Sequence, residues 1–140
     1  RGLCVEVGSA AGESTEHFAQ AFATVVCIDP WPGNMDRYFE IFKTRMKPYP
    51  HVFWYREPSL VGVQHVKDKS ADLVYIDAIH DFDHLDQDLD AWKCKVKAGG
   101  YIGGHDFNLK KFEGIVRAVH KHFPNHFVYQ FQDTSWLIKL

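Results

Sequence analysis

The chain has 140 residues, 46% hydrophobic and 24% charged, with 16 Lys+Arg against 18 Asp+Glu and a formal net charge of −2. That length builds one domain, residues 1–140, with a core large enough to fold without a disulfide or metal staple. A charge near zero excludes a nonspecific polyanion binder, the high aromatic content excludes disorder, and no apolar run approaches the ~18 residues of a membrane span.

The chain begins with Arg1 and Gly2 and enters an apolar run at Leu3. No initiator methionine, signal peptide or leader helix precedes it, so the expectation is a trimmed or minimal domain. Leu3 to Val7 reads as a first strand ending at Gly8. Ser14 and Thr15 are capping types, and Phe18 and Phe22 then recur at helical spacing. Thr24 to Ile28 is a second buried-type strand, closed by Asp29-Pro30.

Trp31-Pro32-Gly33-Asn34 is loop chemistry. Phe39, Phe42 and Met46 make a helical stripe over Asp36 to Met46, bounded by Pro48 and Pro50. Val52 to Tyr55 is a third strand, Val61 to Val66 a short connection, and Asp72 to Asp77 a fourth strand. Leu85, Leu89 and Trp92 then form one face of an amphipathic helix, with Asp86, Asp88 and Asp90 expected to face elsewhere. Ala98-Gly99-Gly100 reads as the stop of that helix, and Tyr101 as the start of a fifth strand. Ile115, Val119 and Phe123 form another helical face, stopped by Pro124. Phe127 to Phe131 and Trp136 to Leu140 read as an antiparallel hairpin.

Three cysteines, Cys4, Cys27 and Cys94, are odd in number and widely spaced. They read as reduced thiols of a cytoplasmic protein.

Short apolar strands alternating with helices imply an α/β fold, a parallel sheet covered on both faces and doubly wound. Ligands bind such sheets beyond the carboxyl ends of the strands. At the first strand end stands Glu6-Val7-Gly8-Ser9-Ala10-Ala11-Gly12. Its glycines suit a sharp turn and close backbone approach. Ala10 breaks the Gly-x-Gly-x-x-Gly dinucleotide fingerprint, and Glu6 suits a cationic ligand better than a phosphate. The alternative is an ordinary turn with a satisfied Glu6. Asp29, at the second strand end, stands where a carboxylate accepts adenosine ribose hydroxyls.

Glu6-x-Gly8-x-x-x-Gly12 followed by Asp29 on this strand order resembles class I S-adenosylmethionine-dependent methyltransferases. The resemblance covers nearly the whole chain. It sharpens at Asp77-Ala78-Ile79-His80, at Asp88-Leu89 and Trp92, and at Gly104-His105-Asp106-Phe107, which look like a small-molecule O-methyltransferase subfamily. It implies a Rossmann-like, mostly parallel seven-stranded sheet of order 3-2-1-4-5-7-6. It implies that the cofactor S-adenosyl-L-methionine contacts Glu6, Gly8, Ser9, Gly12 and Asp77 and lays its ribose on Asp29. Glu57, Pro58 and Ser59 fall where the family reads adenine, and Ser59 is the candidate there. Similar sugar and macrolide O-methyltransferases bind magnesium at these strand ends. They commonly have a carboxylate-carboxamide or paired acids where His105-Asp106 stands, and Tyr where Phe82 stands.

Asp77, His105 and Asp106 fall at the ends of adjacent strands, roughly 5 Å apart. Two carboxylates and an imidazole are a ligand set for Mg2+ or another divalent metal. His80 is the candidate general base, with Asp77 beside it as the other catalytic candidate. The bland alternative makes His80 to His84 a helix cap and His105-Asp106 a salt-bridged hinge. Trp31 is read as packing on the adenine edge or covering the core, and Asp88 has no role from spacing alone.

The expected reaction is methylation of a hydroxyl on a small molecule or sugar. The charge disfavours nucleic acid as acceptor, and the loop from Phe107 to Phe112, with Lys110 and Lys111, is its expected rim. No membrane partner is expected, and a homodimer is one candidate assembly. Competing readings are an NAD-dependent oxidoreductase, which would need the missing glycine, a metallohydrolase on His80 and His84, and a non-catalytic nucleoside-binding domain of the same fold.

Overall fold

In a computed structural model, residues 2–140 are described, and Arg1 lies outside the described residues. The apolar runs form the strands β1 (Leu3–Val7), β2 (Thr24–Ile28), β3 (Val52–Tyr55), β4 (Ala71–Ile76) and β5 (Val96–Gly104), and two short strands follow, β6 (Tyr129–Gln130) and β7 (Trp136–Lys139). The helices are α1 (Glu13–Ala21), α2 (Asp36–Met46), α3 (Ser59–Gly62), α4 (Phe82–Trp92) and α5 (Glu113–His122). The sheet has seven strands in the order β3-β2-β1-β4-β5-β7-β6. β1 to β5 pair in parallel, and β7 runs antiparallel to both β5 and β6. The expected Rossmann-like order is therefore the observed one.

Alternate side chains of each strand face opposite sides of the sheet. Val5, Val74 and Ile102 enter one core with Leu85, Leu89 and Trp92 of α4 and Ile115 and Val119 of α5. Cys4, Val25 and Cys27 enter the other with Phe42 and Met46 of α2. Each fully buried Leu or Val contributes about 1.5–3 kcal/mol against its exposed state. The chain leaves β1 for β2 on one side and returns to β4 on the other. The carboxyl ends of β1 and β4 thus flank the switch point, where a crevice opens.

Four local expectations are corrected. Ser14 and Thr15 do not cap α1, whose N-cap is Gly12 in a left-handed conformation with no side-chain cap. α4 stops at Trp92, and Ala98 to Gly100 lie inside β5, at a register irregularity against β4 where Gly99 is left-handed (φ +77°) and its N–H donates to Leu140 O (2.7 Å). The hairpin is short, because Phe131 already belongs to the turn: its N–H donates to Ser135 O (2.9 Å), and its carbonyl accepts from Thr134 N (3.1 Å). Asp88 does not face away from the core. At i+3 from Leu85 it shares that buried face, and it is 6% exposed.

Candidate functional site

The loop between β1 and α1 turns at Gly8, whose φ is +88°, and a Cβ there would strike the carbonyl oxygen of Asp77. Only glycine permits that approach of the two strand ends. Beneath the loop, Glu6 is fully buried and accepts hydrogen bonds from Ser9 Oγ (2.6 Å), Ser14 Oγ (2.5 Å) and Thr15 Oγ1. Burial raises its pKa, with the Ser14, Ser9 and Thr15 hydrogen bonds opposing. Ser14 and Thr15 are thus drawn inward by a carboxylate, and Glu6 organises the loop from below the cleft.

Asp29 holds the same loop from the side. Its Oδ2 accepts the backbone N–H groups of Ser9 (2.9 Å) and Ala10 (3.0 Å), and its Oδ1 accepts that of Trp31 (2.8 Å). A carboxylate has about four lone-pair sites, so one remains for a ligand. Trp31 is fully buried against Phe39 and Phe42, and its Nε1 donates to Ala10 O (2.7 Å). It clamps the loop and covers the core.

These strand ends open into a cleft of about 810 Å³. Its floor is Gly8 to Ala10 and its walls include Asp29, Ser59, Leu60, Ile79, His80 and His105. Gly8, Ser9, Asp29, Ser59 and Asp77 of the expected cofactor contacts line it. Glu6 and Gly12 lie behind, both buried.

At one end, Asp77, His80 and Asp106 bring their potential ligand atoms within 4.8 Å of one another. His80 Nδ1 lies 2.5 Å from Asp106 Oδ2 and 3.9 Å from Asp77 Oδ1. His105 Nδ1 turns to Asp106 Oδ1 at 3.0 Å. Asp106 therefore holds one imidazole on each oxygen, and the ring inside the cluster is His80. The backbone of Asp106 is left-handed, with φ of +62°, a conformation that costs a non-glycine residue about 1–3 kcal/mol and gathers at functional sites. Burial raises the pKa of Asp77, and the neighbouring His105 and His80 oppose that. The start of α4 is an ordinary cap, in which Asp81 accepts the N–H of His84 (2.9 Å).

Sequence reasoning left a second polar group without a role. Trp92 Nε1 donates to Ser59 Oγ (2.8 Å), and Ser59 Oγ donates to Asp88 Oδ1 (2.5 Å). Asp88 lines the cleft although it is almost wholly buried. The signal was its place between Leu85 and Leu89 on the apolar face of α4.

The methyltransferase-domain family model matches residues 5–107, and the chain belongs to that family. With the sheet order, this defines a class I S-adenosylmethionine-dependent methyltransferase domain. Solved structures share the fold. The N-methyltransferase NodS from Bradyrhizobium japonicum, in complex with S-adenosyl-L-homocysteine, is 19% identical, with 99% of this chain and 76% of that chain covered and a TM-score of 0.67. A TDP-rhamnose 3'-O-methyltransferase of calicheamicin biosynthesis is 14% identical (99% and 71% covered, TM-score 0.72). An rRNA methylase from Streptococcus thermophilus is 10% identical (99% and 85% covered, TM-score 0.73). Their acceptors differ, so the shared fold leaves the acceptor open. No curated protein sequence matches the chain.

Proposed function

We propose that the protein moves the methyl group of S-adenosylmethionine to a hydroxyl of a small molecule or sugar, with His80 as the base. The observation that carries this reading is the His80 imidazole held by Asp106 at 2.5 Å on the cleft wall, beside Asp77. An imidazole fixed through Nδ1 by a carboxylate presents Nε2 as the proton acceptor. In the reaction the substrate O–H gives its proton to Nε2, and the oxygen pair forms the O–CH3 bond. The C–S bond breaks with its electrons left on sulfur, so the sulfonium becomes a neutral thioether. Positioning supplies much of the rate.

The cleft suits the nucleoside and the sulfonium at its two ends. Asp29 keeps one acceptor site for a ribose hydroxyl and fixes the backbone of Ser9 and Ala10. Asp77, at the end of β4, brings negative charge to the side where a sulfonium would lie. The donor set of Asp77, His80 and Asp106 also fits a divalent cation, with His105 adjoining, and in that arrangement His80 would be a ligand instead of the base. Such an ion would lower the pKa of a bound hydroxyl. Free thiols at Cys4, Cys27 and Cys94 support a reducing, cytoplasmic setting for this single domain. Among the described residues, no helix is long and apolar enough to cross a membrane.

The test pairs binding with turnover. S-adenosylhomocysteine binding is measured by calorimetry, and methyl transfer from labelled S-adenosylmethionine is measured over a panel of sugars, nucleotide sugars and phenols. His80→Ala should bind the thioether like the wild type and lose about 100-fold or more in turnover. Undiminished turnover would remove His80 as the base. Mn2+ should raise the melting temperature of the wild type but not of Asp106→Asn. Activity that survives a chelator unchanged, with no Mn2+ shift, leaves the metal-free base mechanism as the answer.

A further inference from the structure

The geometry points to Gln130 as a positioning residue: from outside the cleft, its amide pins the loop that holds Asp106 against His80. The inference rests on the reading of His80 as the base, and it names what keeps that base in place.

Asp106 needs holding. Its backbone is left-handed, with φ of +62°, and a non-glycine residue keeps that conformation only where its surroundings impose it. Relaxation to an ordinary φ would swing the carboxylate away from His80 Nδ1, which it meets at 2.5 Å.

The restraint comes from the β6–β7 hairpin. Before Asp106, Gly104 pairs with Trp136 of β7. After it, Phe107 is tied through both of its backbone groups. Its N–H donates to Thr134 O (2.9 Å), and its carbonyl accepts from Gln130 Nε2 (2.9 Å). A carbonyl can only accept, so the amide nitrogen of Gln130 is the atom that faces it. The Phe107 ring is 9% exposed and lies 6.3 Å from that of Trp136. The hairpin therefore fixes the chain on both sides of Asp106.

Of these polar ties, only that of Gln130 comes from a side chain. Thr134 contributes a main-chain carbonyl, and Gly104 and Trp136 contribute strand pairing. Gln130 is exposed and belongs to neither core, so replacing it should spare the fold. It stands outside the cleft and touches neither cofactor nor acceptor there. Its hydrogen bond reaches the chemistry only through Phe107 and Asp106.

The experiment uses Gln130→Met, which keeps the length and removes the donor, and Gln130→His, whose Nε2 restores one. Methyl transfer from labelled S-adenosylmethionine is followed over the same acceptor panel, beside crystal structures of the wild type and Gln130→Met. Gln130→Met should lower kcat about tenfold or more, with the KM for S-adenosylmethionine within about twofold of the wild type. Its crystal structure should show Asp106 parted from His80 Nδ1 by more than about 3.5 Å. Gln130→His should return kcat to within about threefold of the wild type. A residue that only supported the fold would lower the melting temperature and leave the kcat of the folded protein unchanged. Gln130→Glu, similar in size and without a donor when ionised, gives the answer if Gln130→Met fails to fold. Wild-type kcat in Gln130→Met would overturn the proposal, as would an Asp106–His80 contact kept in its crystal structure. The crystal structures decide if no acceptor in the panel is methylated. His80→Ala separates this inference from the reading beneath it. If that variant turns over like the wild type, the base falls and the role of Gln130 falls with it. If it is impaired and Gln130→Met is not, the base stands and only the positioning role falls.

Discussion

Glu6 shows how one side chain reaches beyond its own position. It is fully buried beneath the loop, and three hydroxyls turn toward it. Burial raises its pKa above 4.5, so the folded protein holds a proton that the unfolded chain has already released. Stability therefore falls as pH rises from about 4.5 through the raised folded value, and it levels off above it. Glu6→Gln removes that titration. Denaturant unfolding from about pH 4.5 to about pH 8 should show the wild type losing stability relative to the variant as pH rises. Parallel curves would put the pH dependence elsewhere. Asp29→Ala should leave the N–H groups of Ser9, Ala10 and Trp31 unpaired. We expect a loss of about 2 kcal/mol or more in unfolding free energy and no calorimetric heat with S-adenosylhomocysteine. Full ligand heat from a folded Asp29→Ala would separate the carboxylate from cofactor binding. Glu6, Gly8 and Asp29 were visible in the sequence because they sit at strand ends. The inward turn of Ser14 and Thr15 was not, because a hydroxyl near a helix start looks the same whether it caps or reaches a buried carboxylate.

Elements were read well where periodicity was strong and less well where it met glycine. α2, α4 and α5 follow their apolar stripes, and the core strands follow their apolar runs. Ala98-Gly99-Gly100 has the chemistry of a helix stop, yet it forms an irregular stretch of β5, where Gly99 N–H donates to Leu140 O and Leu140 N–H donates to Gly100 O. Asp88 shows the converse. Its acidic character suggested the solvent face of α4, while its phase on the helix placed it at the core and cleft. The β1–α1 connection is the element most exposed to substitution. Gly8→Ala should cost at least about 2 kcal/mol, since a side chain there meets both a left-handed backbone and the Asp77 carbonyl. Thermal unfolding reads this directly. A melting temperature equal to the wild type would mean that β1 and β4 separate without penalty.

At the scale of the molecule, the sheet order creates the crevice and the charge limits what enters it. A formal net charge of −2 gives no overall attraction for a polyanion. The chain should therefore show no retention of tRNA at about 0.15 M salt in a mobility-shift assay. Salt-sensitive micromolar binding would overturn the small-molecule reading, even though an rRNA methylase shares the fold. By itself, the sequence determined the fold class, the strand order through its resemblance to a family, the glycine turn and the acids at the strand ends. These depend on local periodicity and on motifs contiguous along the chain. Only the tertiary structure decided that His80, rather than His105, joins Asp77 and Asp106. Only it linked Trp92, Ser59 and Asp88 into one chain of hydrogen bonds. Those groups lie far apart in sequence, and a side chain's direction at a strand end is set by the neighbours that the sheet brings beside it.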